Sequence, residues 1–241
     1  MFDNKPSLPD IDKAFESLKK FDAGSSRGSL MPIDNAVIAS LGDAAARKEL
    51  ERRLIAALQA GGSVVAREYV CSQLRLIGET DAVPALAALL ADKNVACAAA
   101  NALLGISRPE TGKAVRDCLP TLSGLSKVQA INLLGQRRDA QDMPALAAVI
   151  NDQDPLTVEA AVAALGNIGT PEAAKMIQGV LPKASPATRS VIADALLTCA
   201  EHLVADGKKA DALAIYALLS DAQYPNHVRQ AAQRGTALAG R

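Results

Sequence analysis

Two histidines, His202 and His227, and four cysteines, Cys71, Cys97, Cys118 and Cys199, are the residues that could supply a general base, a metal ligand or a nucleophile. Their spacing assembles no such chemistry. The histidines lie 25 residues apart and belong to no His-Glu-x-x-His run. No two cysteines stand at Cys-x-x-Cys spacing, and no sequence-visible base accompanies Cys71. Neither a phosphate-binding loop nor a Gly-x-Gly-x-x-Gly turn is present. The chain therefore reads as a non-enzyme, with no catalytic residue, no metal ligand and no cofactor. The cysteines are expected to be buried thiols acting as small hydrophobes. The histidines are expected to be solvated or capping residues.

The elements around these residues repeat. The stretch Asp154 to Ala174 is one unit, anchored on Gly169. Equivalent anchors are Arg138, Ser107 and Gly78. Self-similarity at such a period signals a repeat architecture. The run Pro-Ala-Leu-Ala-Ala at Pro84 to Ala88 recurs at Pro144 to Ala148. Seven residues before the anchors stand Cys71, Ala100, Ile131 and Val162, and four before them Leu74, Leu103, Leu134 and Leu165. Eleven after them stand Leu89, Cys118, Val149 and Val180. This spacing predicts two-helix hairpins with those residues as core. One hairpin cannot bury its apolar stripe, whereas stacked neighbours share a continuous core.

Composition agrees. Hydrophobic residues make up 49% of 241, but aromatics only 2% with no Trp, so the core must be Ala, Leu, Val and Ile on close-packed helices. Lys plus Arg equal Asp plus Glu at 26 each, which gives no footprint for a polyanion. No apolar run approaches the length of a membrane span. The first residues carry no apolar leader segment, so the chain taken as complete is expected in the cytoplasm. As a piece of a longer, possibly exported protein its compartment is open.

In chain order, residues 1–9 are expected to be a loose tail. Asp10 is a candidate cap for a helix to Phe21 with Ile11, Phe15 and Leu18 on one face. Residues 22–32 read as a loop that lets this helix fold back as a cap. A helix over Ile33 to Leu41 precedes a longer one opened by Asp43 and ending at Ala60. Leu50, Leu54 and Leu58 form the stripe of that longer helix. Arg47, Glu51, Arg52 and Arg53 sit off it, as a solvated face with Lys48–Arg52 and Glu49–Arg53 spacings. The expected organisation is a tail, capping helix and loop over 1–32, then a solenoid over 33–241. Its units are 33–62, 63–93, 94–123, 124–153, 154–184 and 185–221, with an incomplete last unit at 222–241. Ser185 is a candidate cap. The half-unit at the end predicts that the polypeptide continues or that this end docks on something.

The run Val158-Glu-Ala-Ala-Val-Ala-Ala-Leu-Gly-Asn-Ile-Gly-Thr-Pro-Glu-Ala resembles the HEAT family, and more closely its short phycobilisome-lyase-type variant, whose pattern is V-R-x-A-A-x-A-L-G-x-I-G. Glu159 stands where that pattern often has Arg. The resemblance extends over about Ser63 to Leu219. Segments around Arg67 and Asp81 also look similar to repeats inside longer bacterial proteins. It implies an all-α fold, a right-handed α-α superhelix of stacked hairpins. It also implies a concave surface lined by the second helices. The outward positions there are Ala85, Ala88, Asp117, Ala145, Ala148 and Met176, with Lys113, Arg116, Lys175 and Gln178 from neighbouring rows. These ten are the candidate partner-binding residues.

The function expected is a non-catalytic protein-interaction scaffold, a module of a larger protein or assembly. Its partner would be another protein or an adjoining domain of the same chain. No nucleic acid, membrane or small-molecule substrate is expected. The alternative is an accessory or lyase-chaperone-type subunit of an enzyme acting on a cofactor protein. HEAT-like DNA glycosylases rely on aromatics and a basic face that this chain lacks, so that reading ranks last.

Overall fold

The computed structural model describes residues 7–240. Of the expected loose tail over 1–9, residues 1–6 lie outside them, whereas Ser7 is a helix cap and Leu8 and Pro9 are helical. The fold is all-α. Among the described residues there are fourteen α-helices and no strand. None of the helices is long and apolar enough to cross a membrane.

The chain divides into two compact units, Met1–Leu122 and Ser123–Arg241. The first holds α1 (Leu8–Leu18), α2 (Met31–Ser40), α3 (Ala44–Gln59), α4 (Val64–Ile77), α5 (Val83–Ala88), α6 (Ala96–Gly105) and α7 (Pro109–Cys118). The second holds α8 (Gly124–Arg137), α9 (Met143–Val149), α10 (Pro155–Ile168), α11 (Pro171–Val180), α12 (Pro186–Ala205), α13 (Lys209–Leu219) and α14 (Asn226–Ala239).

Local chemistry sets the helix starts. Asp43 caps α3 by accepting the N–H groups of Ala45 and Ala46. Ser63, Asp154 and Ser185 cap α4, α10 and α12 in the same way. Ser7, not Asp10, caps α1, because Pro9 falls in the first turn where a missing donor costs least. The helix then ends at Leu18, short of Phe21, although Ile11, Phe15 and Leu18 do form its buried face.

Within each unit the first helices of successive hairpins stack. In the first, α4 packs on α6; in the second, α10 packs between α8 and α12. All eight expected core residues seven and four places before the anchors are buried. Burying each Leu there is worth about 1.5–3 kcal/mol. Eleven places after the anchors, Val149 and Val180 are buried, but Leu89 and Cys118 are half-buried and Leu90 and Leu119 take the interior place. Close stacking needs small residues. A Cβ on Gly135 would lie 2.6 Å from Ala164 Cα across the α8–α10 contact.

The charged face expected on α3 is not uniformly solvated. Glu51 is only 3% exposed, because the turn after α4 lies over it and its Oε1 accepts the Glu79 N–H at 2.6 Å. Arg53 is half-buried. Its guanidinium covers the Phe15 ring at 4.3 Å and pairs with Asp12 at 2.7 Å. Glu49 accordingly pairs with Arg52, one turn on, rather than with Arg53. Asp34 ties α2 to α4 by accepting from Tyr69 Oη and Gln73 Nε2, both at 3.0 Å.

Candidate interaction surface

The second helices are short because their sequences start and stop them early. Pro84, Pro109, Pro144 and Pro171 occupy the first turns of α5, α7, α9 and α11. Eight places after each anchor stand Leu86, Val115, Leu146 and Ile177, all fully buried. That interior row decides what its neighbours show. Ala85, Ala145 and Met176, one place earlier, are half-buried beside it rather than fully outward. Ala88, Asp117, Ala148 and Gly179, two places later, are exposed.

In the first unit the exposed row is thus Ala88 and Asp117. Lys113 Nζ reaches Asp117 at 2.6 Å across one helical turn, and Arg116 is half-buried beside them. In the second unit the row is Ala148 and Gly179, flanked by exposed Lys175 and half-buried Gln178. The second unit therefore presents a small-residue strip with a lysine at its edge, whereas the first presents Ala88 beside the Lys113–Asp117 pair.

Elsewhere the reactive residue types are held in unreactive forms. Burial pushes the Cys71 thiol up to about 12 and the Cys199 thiol up to about 11. Burial also raises the half-buried Cys118, whose Sγ donates to the Val115 carbonyl. The thiolate is the nucleophile, so burial disfavours the reactive form of all three. Cys97 is exposed on α6, outside the expected core.

Two arrangements were not recognised in the sequence. Cys199 and His202 lie one turn apart on α12, the spacing of a thiol–imidazole pair. Yet Cys199 Sγ is directed at the Thr170 carbonyl at 3.5 Å, and burial alone sets its acidity. Gly24-Ser-Ser-Arg-Gly28 spells the Gly-x-Ser-x-Gly pattern of hydrolase elbows. Those need a strand-to-helix turn. Here Ser26 instead caps a single 3-10 turn, its Oγ accepting the Gly28 N–H at 3.3 Å. No cluster of three or more potential metal ligands occurs among the described residues.

Residues 122–197 match the family model for HEAT repeats. The match supports a HEAT-repeat family over that span. HEAT repeats generally mediate protein–protein interaction and scaffolding and are typically non-catalytic. No curated protein matches the chain. Among solved structures the chain is similar to the crystal structure of an engineered protein, with 18% identity, 96% of each chain covered and a TM-score of 0.35.

Proposed function

We propose that this chain is a non-catalytic protein-interaction scaffold, a repeat module of a larger protein or assembly. Its partner docks on the second-helix faces. The observation that carries this reading is that each unit exposes a second-helix row beside a fully buried one, Ala88 and Asp117 in the first and Ala148 and Gly179 in the second. The match to HEAT repeats supports it. The division into a tail, capping helix and loop over 1–32 and a solenoid of units at 33–62, 63–93, 94–123, 124–153, 154–184, 185–221 and 222–241 belongs to the same proposal. So does the nearer kinship with phycobilisome-lyase-type repeats, which rests on Val158 to Gly169.

The test uses Ala88→Glu with Ala148→Glu, both at exposed positions. Ala is an easy helix residue and Glu nearly as good, so helicity and melting temperature should hold. A partner identified by crosslinking in the source cell is then purified and titrated against both proteins. Binding weakened about a hundredfold supports the second-helix face, at roughly 1.4 kcal/mol per factor of ten. Unchanged binding of that partner refutes it.

A further inference from the structure

A concave feature of the first unit lies where α1, α3 and α4 meet. A cleft of about 450 Å³ opens there. Its floor is made of Ala56, Ala57, Ala60, Ala66, Val70 and Phe15, and Gly61–Gly62 close one end.

The cleft wall is cationic. Arg52, Arg53 and Arg67 line it, together with Lys19, which pairs at 2.6 Å with Glu16, the one carboxylate among the lining residues. The arginines are held in place from behind. Arg53 is fixed by the Phe15 ring and Asp12. Arg67 pairs with Asp92 at 2.6 Å, and Arg52 forks onto Glu49 at 2.9 and 2.7 Å. None of Asp12, Glu49 and Asp92 lines the cleft. Each guanidinium has five N–H donors, so these pairs leave donors over. A carboxylate entering the cleft would take donors that these pairs leave over.

We propose that this cleft binds an acidic peptide segment of a protein partner. Its carboxylates meet Arg52, Arg53 and Arg67, and an apolar side chain between them rests on the alanine floor. This deepens the scaffold reading and rests on it, but at a surface that includes none of the residues of α5, α7, α9 or α11. Preordered guanidinia favour carboxylate over a neutral ligand, and the apolar floor favours a peptide over a bare anion.

The test is fluorescence anisotropy with a labelled, capped peptide of glutamate and leucine, against a lysine–leucine control. The acidic peptide should bind saturably and weaken as salt rises. Arg52→Glu and, separately, Ala56→Trp, which fills the cleft, should each weaken it at least about tenfold, equivalent to roughly 1.4 kcal/mol. Both positions are exposed, and the circular dichroism melt of each variant checks that it folds. Equal binding of the two peptides, or binding untouched by both variants, overturns the proposal. So does full competition by millimolar inorganic phosphate with no contribution from leucine, because the site would then be an anion site only. None of these failures touches the scaffold reading, which is judged on Ala88→Glu with Ala148→Glu.

Discussion

Arg138 and Gly169 hold the same place in successive hairpins, each just past the end of a first helix, and both take left-handed backbone, with φ of 54° and 70°. Gly169 adopts it freely and Arg138 does not. An L-residue there costs roughly 1–2 kcal/mol. The geometry at Gly169 is demanded twice over, because a Cβ would lie 2.5 Å from His202 Cβ.

Opposite substitutions should therefore have opposite effects. Arg138 is exposed, so Arg138→Gly loses no packing and should stabilise the second unit by about 0.5–1 kcal/mol. Gly169→Ala should destabilise it by more than 1–2 kcal/mol, or a drop in melting temperature of about 2–4 °C per kcal/mol. A calorimetric melt of each variant checks this. A lowered melting temperature for Arg138→Gly would contradict the strain argument.

His202 makes stability pH-dependent. Burial against the Gly169 turn lowers its pKa first, and the positive Arg138 lowers it further, against the weaker pull of Asp206 and Glu201. The folded state thus takes up the proton less readily than the unfolded chain. The contribution is fully present above about pH 6.5, the ordinary histidine value, and is lost as pH falls through the lowered folded value. Melting temperatures at about pH 7.5 and 5.0 should differ less in His202→Gln than in the parent. An identical difference in both proteins would assign the acid sensitivity to other groups.

Glu51 tests a buried polar joint. Its carboxylate accepts the Glu79 N–H, and burial raises its pKa above the ordinary carboxylate value. Glu51→Ala strands that donor and should cost about 1–3 kcal/mol in urea unfolding. Glu51→Gln keeps an acceptor and should cost less than half as much. Equal losses would mean that the charge matters rather than the hydrogen bond.

Much of this architecture was legible in the residues. The places seven and four before each anchor are interior because helical periodicity puts them on one stripe, and a stripe that apolar must be covered. Asp43 and Ser185 cap because their side chains reach only their own first turn, which is a local matter. The second-helix rows needed the structure for their exposure. Ala85 and Ala88 are alike as residues, and only the burial of Leu86 tells which is sheltered.

What the chain by itself determined, then, is the set of helices, their stripes and most of their caps, all set by interactions within a few residues. What only the tertiary structure decided is the fate of the charges. Glu51 looks like any surface glutamate until the turn at Glu79 covers it. Arg53 looks like half of an i,i+4 pair until α1 brings Phe15 and Asp12 to it. Three arginines spread over α3 and α4 come to line one cleft only when the helices are brought together. Burial of a charge depends on which other helix lies across it, and no periodicity within one helix encodes that.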